Sequence, residues 1–145
     1  MDTKYSVAVH LLVLIAESPE PLSSERMSES VGANASYIRK VLALMTGAGI
    51  VRGRRGVSGY SLMIPPERLT LLQVYRAVME ENPHLLDMHQ NPNDRCVVGR
   101  HIRPVLTGMF SEAEDAFARA LAGRTLADCI AAIRAAISRP EQPTH

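Results

Sequence analysis

Cys96 is the residue of this 145-residue chain whose neighbours are best suited to reactive chemistry. It follows Arg95, precedes Arg100 and His101, and stands at the predicted start of a long helix. The helix dipole and nearby cations favour the thiolate, which is the reactive form of cysteine. We hypothesise a redox or electrophile switch, in which oxidation or alkylation of Cys96 repositions that helix. An unreactive cysteine at a subunit interface is the alternative.

Three histidines near Cys96 raise the question of a metal site. His84, His89 and His101 could join the thiol as zinc ligands, but their spacing matches no common zinc pattern. Surface or loop histidines are favoured, and no metal site is predicted. A thiol catalyst that pairs Cys96 with His89 or His101 would lack an orienting acid, and no Gly-rich phosphate cradle is apparent. An enzyme is therefore not expected.

The second cysteine, Cys129, has a different setting. It lies at helical spacing among Leu126, Ile130 and Ile133, and core packing is its expected role. Two cysteines without a disulfide framework agree with a reducing compartment. The apolar run 7–16 is too short to span a bilayer, and no basic leader or cleavage site precedes it. A cytoplasmic protein is expected.

Positive charge is concentrated in one part of the chain. Residues 23–60 hold six basic and two acidic residues, a net charge of +4, whereas the whole chain carries +1 and the remainder therefore −3. A local excess of basic residues is typical of a nucleic-acid footprint, although a solvated basic face gives the same count. The elements that carry the charge decide between the two.

The basic region begins with two predicted short helices joined by a tight turn. Ser23 or Ser24 can cap a helix that ends near Val31. Gly32 supplies the turn, and Asn34 can cap the second helix. The N-terminal end of such a second helix contacts bases and phosphates in helix–turn–helix proteins. Four side chains are expected there: Ser36, Tyr37, Arg39 and Lys40.

A glycine- and arginine-rich hairpin follows, and we call it the wing. Two short strands are predicted at 50–52 and 60–63, with the sequence GRRGVSG between them. A basic hairpin beside a helix–turn–helix can reach the DNA backbone or the minor groove. Its candidate DNA contacts are Arg52, Arg54, Arg55, Ser58 and Tyr60. Helix pair and wing together predict a DNA-binding protein.

A long helix over 97–121 carries a near-heptad apolar seam. A winged domain of this size already has its own core, so a second subunit is favoured as the partner over an intramolecular core. Pro104 either kinks the helix or marks a later start. The predicted dimer contacts on the seam are Ile102, Leu106, Met109, Ala113 and Ala116.

These elements predict a mainly α fold with a small β-hairpin: a winged helix–turn–helix plus a long C-terminal dimerisation helix. The first helix is expected over 3–17, a fourth from Thr70 to Met79, and a last from Thr125 to about Ile137. The predicted organisation is a DNA-binding domain at 1–80, a loop at 81–96, dimerisation helices at 97–138 and a disordered tail at 139–145.

The chain also resembles a known family. The matching segments are KYSVAVHLLVLIA, SYIRKVLALMTGAGIV, RGVSGYSL and PNDRCVVGR. They look like the Rrf-two (Rrf2) family of bacterial winged-helix transcription regulators, over nearly all of residues 1–138. The resemblance implies a homodimer on a palindromic operator, with the helix after Asn34 in the major groove and the wing at the minor groove. A transcription regulator, and a repressor in particular, is expected.

The family's sensing chemistry does not carry over intact. Cluster-binding members have three cysteines about six residues apart before the long helix, and here only Cys96 matches, with Gln90 and His84 at the other two positions. Thiolates are the usual ligands of an iron–sulfur cluster, so no such cofactor is expected. A redox or small-molecule effector stays open, including a ligand between the winged domain and the long helix.

One alternative function stays open as well. A winged-helix module that contacts only proteins would have no salt-dependent DNA affinity. A DNA-binding regulator would lose affinity steeply with salt, because its phosphate contacts release counterions.

Overall fold

The computed structural model describes residues 2–54, 57–79, 85–90 and 92–139, with the backbone alone at 54, 57 and 58. The mainly α fold with a small β-hairpin is confirmed. In the described residues the elements are α1 (Lys4–Glu17), α2 (Ser24–Val31), α3 (Ala35–Gly47), β1 (Val51–Arg54), β2 (Val57–Leu62), α4 (Leu71–Met79), α5 (Val97–Ala122) and α6 (Leu126–Ile137).

The core lies where α1, α3 and α4 pack against one another. Helix α3 buries one stripe of apolar residues three and four positions apart, as helical periodicity requires. This stripe, Ile38, Val41, Leu42 and Met45, is the one expected from the sequence. Because these side chains face inward, the opposite side of α3 is left at the surface.

Helix α6 belongs to the same core. Leu126 is fully buried and Ile130 nearly so, and the Leu126 N–H donates to the Leu69 carbonyl at 2.8 Å. Near its end, Arg134 makes a two-pronged ion pair with Glu17 of α1, with a shortest N···O distance of 2.7 Å. The sequence groups α5 and α6 as one dimerisation unit, but the two helices have different neighbours. Helix α6 packs against α1, whereas α5 contacts α4 and buries none of its residues fully.

An aromatic contact joins the winged domain to α5. The rings of Tyr5 and Tyr75 meet edge to face at 5.2 Å, and those of Tyr75 and Phe117 at 5.3 Å. The Tyr5 hydroxyl donates to the Leu71 carbonyl at 2.7 Å, and burial above all raises the pKa of Tyr5 to about 12. Helices α1, α4 and α5 are therefore linked through three rings.

Helix α5 begins at Val97, as predicted, and contains Pro104 in its interior. The later start that the sequence left open is therefore wrong. At about 1.5 Å per residue its 26 residues span roughly 39 Å.

The wing strands are longer than expected. The sequence assigned 53–59 to a loop, but β1 runs to Arg54 and β2 begins at Val57. Pairing continues from Val51 opposite Leu62 to Arg54 opposite Val57, with an irregularity between Gly53 and Arg54. Glycines normally weaken strands, which is why composition alone placed the strand ends too far from the tip.

Candidate nucleic-acid interface

Capping side chains fix the helix–turn–helix. Ser23 Oγ accepts the Arg26 N–H at 3.3 Å at the start of α2, and Asn34 Oδ1 accepts the Tyr37 N–H at 2.8 Å at the start of α3. Gly32 ends α2 with φ of +78°, a left-handed conformation that glycine adopts without strain. The predicted caps and turn are confirmed, and they set the position of the first turn of α3.

The N-terminal half of α3 presents two exposed polar side chains. Ser36 and Lys40 are exposed, and Lys40 has no ion pair in the part of the chain that the structure describes. Tyr37 is half-buried, with its ring packed against the core. The hydroxyl and the ammonium group can therefore approach a ligand without breaking an internal contact, whereas Tyr37 is partly covered by the core.

Arg39 has a different position. Its guanidinium lies 3.4 Å from Glu25 Oε1 and 3.5 Å from Ser24 Oγ, so it bridges α3 to α2. Slightly more than half of the Arg39 side chain is exposed. Exposed ion pairs of this kind are worth at most about 1 kcal/mol, so a phosphate could compete for the guanidinium.

On the wing, Arg52 is exposed and Tyr60 is half-buried against the core. Arg52 has no ion pair within the described ranges. The structure gives only the backbone of Arg54 and Ser58, and Arg55 lies outside the described residues.

A close contact ties the wing to the segment between α1 and α2. Leu22 pairs with Tyr60 as an isolated antiparallel bridge. At Gly59, where φ is +134°, an added Cβ would overlap Pro21. The wing can adopt this position only because residue 59 has no side chain.

The predicted dimer seam lies along an unburied helix. Met109 is 60% exposed and Val98 67% exposed, and Val105 on an adjacent face is 51% exposed. Ile102 and Leu106 are half-buried, while Ala113 and Ala116 are exposed. This stripe has no intramolecular cover among the described residues that would make it a core helix.

Cys96 occupies the N-cap position of α5 and is exposed. No capping hydrogen bond is formed by its side chain, yet the backbone N–H groups of Gly99 and Val98 face the sulfur and lower the pKa of Cys96. An added Cβ at Gly99 would overlap the Asn93 carbonyl, so this glycine lets the preceding loop fold onto α5. The loop and the helix start together place the thiol.

Among the described residues, neither His89 nor His101 joins Cys96 in a cluster that could hold a metal ion. His89 is exposed, and the His101 Nδ1–H donates to the Val97 carbonyl of its own helix at 2.8 Å. His84 lies outside the described residues. Cys129 is half-buried at the edge of the core, between the buried Leu126 and Ile130 in sequence and close enough to Tyr5 to raise the pKa of that residue.

Three features of the site were not visible in the sequence. Glu25 as the partner of Arg39, Pro21 as the support of Gly59, and the Tyr75–Phe117 contact all join residues from separate elements. For the contact between Pro21 and Gly59, the sequence offered only a pair of prolines before α2 and a glycine-rich wing. Neither pattern indicates that the two segments touch.

The structure is that of a winged helix–turn–helix: a capped helix pair, an exposed polar end on α3 and a hairpin fixed beside it. This is the architecture of a class of transcriptional regulators. A family model described as Rrf2, iron-dependent transcriptional regulator, matches residues 1–132. The chain therefore belongs to the Rrf2 family, and its membership of this family makes it a regulator rather than an enzyme.

Relatives agree with this assignment. YwnA of Bacillus subtilis, assigned as an HTH-type transcriptional regulator, is 37% identical over 128 residues, which cover 88% of this chain and 95% of YwnA. A crystal structure assigned as a DNA-binding protein is 35% identical, with a TM-score of 0.74; the match covers 88% of this chain and 98% of the other. The oxidized form of Staphylococcus aureus CymR shares the fold at 18% identity, with a TM-score of 0.69; the match covers 97% of this chain and 98% of CymR.

The donors of this chain do not fit the iron that the family description implies. Iron–sulfur clusters are held by several cysteine thiolates. The chain has two cysteines, and Cys96 at the start of α5 and Cys129 on α6 differ in burial and in neighbours. Within the described ranges, no three His, Cys, Asp or Glu side chains lie close enough to hold a metal ion.

Every helix among the described residues is too short or too polar to traverse a bilayer.

Proposed function

We propose that this regulator binds a palindromic duplex operator as a homodimer, with α3 in the major groove and the wing at the minor groove or backbone. The exposed pair Ser36 and Lys40 at the start of α3 carries the proposal, because neither has an intramolecular side-chain partner in the described residues. Arg52 adds an exposed cation on the hairpin that follows. A duplex attracts such cations through its phosphates.

The proposed contacts divide by chemistry. Lys40 and Arg52 pair with phosphates, and Arg54 and Arg55 at the wing tip are proposed to do the same. Hydroxyl groups at the start of α3 and on the wing read base edges or nearby sugars; these are Ser36, Tyr37, Ser58 and Tyr60. Arg39 joins the phosphate contacts once it leaves Glu25.

The proposed dimer forms along α5. No residue of α5 is fully buried in the protomer, and a second copy packed on its apolar stripe would remove the exposed part from water. The stripe is Ile102, Leu106, Met109, Ala113 and Ala116. A dimer with a two-fold axis presents two copies of α3 to two half-sites, which matches the symmetry of a palindromic operator.

Cys96 is the proposed redox or electrophile switch. Its sulfur is exposed, and its lowered pKa increases the thiolate fraction at neutral pH. Oxidation or alkylation at the N-cap of α5 would displace the first turn of the dimerisation helix and change the spacing of the two copies of α3. The solved oxidized form of CymR is a relative of the same fold and supports testing the thiol. We place the regulator in the cytoplasm, where thiols are reduced, and propose repression as its direction of control.

Selection of bound duplexes from a random pool tests the proposal, with reduced and oxidised protein compared. The expected result is a palindromic site, with an affinity that falls steeply as salt rises. Lys40→Ala should weaken binding to all selected sites and lower the salt slope by about one. Arg119→Ala, which removes a charge from the last turn of α5, is the matched control. No enrichment, or enrichment without symmetry, would favour a protein-interaction module or a monomeric reader.

A further inference from the structure

A cavity of about 480 Å³ lies between the segment 85–90 and one face of α5. Its walls include Leu86, Asp87 and Met88 from the segment and Arg103, Thr107 and Phe110 from the helix. Cavities of roughly 300–1,000 Å³ hold small-molecule ligands in proteins. The volume is therefore sufficient for a metabolite of amino-acid size.

The segment is held over α5 by a specific contact. The Leu85 N–H donates to Glu114 Oε2 at 2.9 Å, and Glu114 also lines the cavity. This hydrogen bond joins the segment to a helix residue that lines the same cavity.

The walls combine one cation, Arg103, and two carboxylates with an apolar surface, and one of the carboxylates, Glu114, already accepts the Leu85 N–H. Arg103 and Asp87 are exposed, and neither has an ion pair in the described part of the chain. A guanidinium matches a carboxylate in two-pronged geometry, and a carboxylate accepts from an ammonium group. Leu86, Met88 and Phe110 supply apolar surface beside these charges.

We propose that this cavity binds a small zwitterion of amino-acid size with an apolar side chain, and that the bound ligand controls how α5 is positioned in the dimer. The ligand carboxylate would pair with Arg103, its ammonium group with Asp87, and its side chain would contact Phe110. This inference rests on the proposed function for its regulatory part, whereas ligand binding itself does not.

The regulatory part follows from the order of residues along α5. The cavity residues Arg103, Thr107, Phe110 and Glu114 each come one position after the seam residues Ile102, Leu106, Met109 and Ala113. One residue is a rotation of about 100° in an α-helix. The same four turns of α5 therefore carry the ligand wall on one face and the proposed dimer contact on the next.

The cavity stripe also reaches the winged domain. Phe117 follows Phe110 by seven residues, so both lie on the same side of α5, and Phe117 packs on Tyr75 of α4. Tyr75 in turn contacts Tyr5 of α1. A ligand that draws α5 toward the segment 85–90 acts on a helix that touches both the second subunit and the winged domain.

The experiment measures binding of each of the twenty protein amino acids to the DNA-free full chain. Thermal shift and calorimetry provide the affinities. We expect saturable binding of at least one with an apolar side chain, and Arg103→Gln or Asp87→Asn should weaken that binding at least tenfold. Arg119→Gln, on α5 outside the cavity, should leave it unchanged. No saturable binding below 10 mM (about 2.7 kcal/mol of affinity), or no effect of either cavity variant, overturns the site.

Analogues and DNA binding separate the remaining outcomes. The amine and the carboxylic acid that match the best amino acid should each bind at least tenfold more weakly, and equal affinity of either would overturn the zwitterion class. Saturating ligand should change operator affinity at least fivefold in the wild type but not in Arg103→Gln, and an equal effect in both would overturn control through this cavity. Ligand binding without any operator binding would refute the proposed function while leaving the site intact.

Discussion

Glu25 on α2 lies 3.4 Å from Arg39 on α3, so one of the two adjacent cations on α3 is already paired within the protein. Lys40, the next residue, has no ion pair in the described residues. The pair also joins the two helices of the helix–turn–helix through a side-chain contact. Arg39 and Lys40 thus differ in availability although they are adjacent and carry the same charge.

Glu25→Gln should strengthen operator binding. The change removes a negative charge beside the proposed interface and releases Arg39 for a phosphate, with an expected gain of about threefold in affinity at low salt. Because the pair is exposed, the free energy of unfolding should change by less than about 1 kcal/mol. Fluorescence anisotropy against a salt series measures the effect, with Glu112→Gln on α5 as the control. Weaker binding by Glu25→Gln would show that the ion pair instead holds α3 in its reading position.

Gly59→Ala should displace the wing. The backbone at residue 59 has φ of +134°, and a Cβ there would overlap Pro21. We expect a loss of about 1–3 kcal/mol in the free energy of unfolding, together with weaker DNA binding. Urea denaturation and anisotropy measure the two quantities.

Gly108→Ala is the matched glycine control for that experiment. Nothing lies within 4 Å of its added Cβ, and the residue is inside α5. A gain of about 0.5–1 kcal/mol is expected, because alanine favours the helix. If both alanine variants behave alike, the contact with Pro21 has no consequence for the wing.

Leu126→Ala should destabilise the winged domain. Leu126 is fully buried, and truncation of such a side chain costs about 2–5 kcal/mol through lost burial and a residual cavity. Ile137→Ala at the end of the same helix, where the side chain is 77% exposed, should cost far less. Urea denaturation of both variants gives the comparison. Equal, small effects would mean that α6 contributes little to the core.

Met109→Lys should separate the subunits without unfolding them. Met109 is 60% exposed in the protomer, so a lysine is tolerated there, but it would bury a charge in the proposed interface. Sedimentation should show a monomer with unchanged circular dichroism and much weaker operator binding. Asp115→Asn, which also raises the net charge by one on α5, should remain dimeric. A dimeric Met109→Lys would place the interface elsewhere.

Cys96 should be alkylated at neutral pH faster than a free model thiol. The N–H groups of Gly99 and Val98 lower the pKa of Cys96, so its thiolate forms at lower pH than in an unperturbed cysteine. The labelling rate, followed by mass spectrometry, should therefore reach half its maximum at a lower pH than that of the model thiol. Cys129 is half-buried and serves as the internal comparison. Labelling of Cys96 no faster than the model thiol would remove the proposed switch.

Local patterns predicted the elements of the winged domain well. Ser23, Gly32 and Asn34 were expected as caps and turn, and they act as such, because a cap depends on the residue and its next three neighbours. The inward stripe of α3 followed from a spacing of three and four residues. The predicted strand ends of the wing were too far from its tip, because glycine-rich strands resemble loops in composition.

Contacts between distant segments could not be read in this way. Glu25 and Arg39 are 14 positions apart, and Glu17 and Arg134 are 117 apart. Nothing in the spacing of either pair marks it. For the same reason, the sequence could not show that α6 contributes to the core. Its apolar face suits a dimer contact and a core contact equally, and only the contact between Leu126 and Leu69 distinguishes them.

The sequence by itself determined a capped helix pair, a basic hairpin after it and a long helix, because periodicity, capping and glycine placement act over a few residues. Tertiary structure alone decided that Arg39 is paired while Lys40 has no ion pair among the described residues, that Gly59 must be a glycine, and that one face of α5 lines a cavity beside the seam. Those outcomes depend on which elements meet in space, and packing of the whole core fixes that.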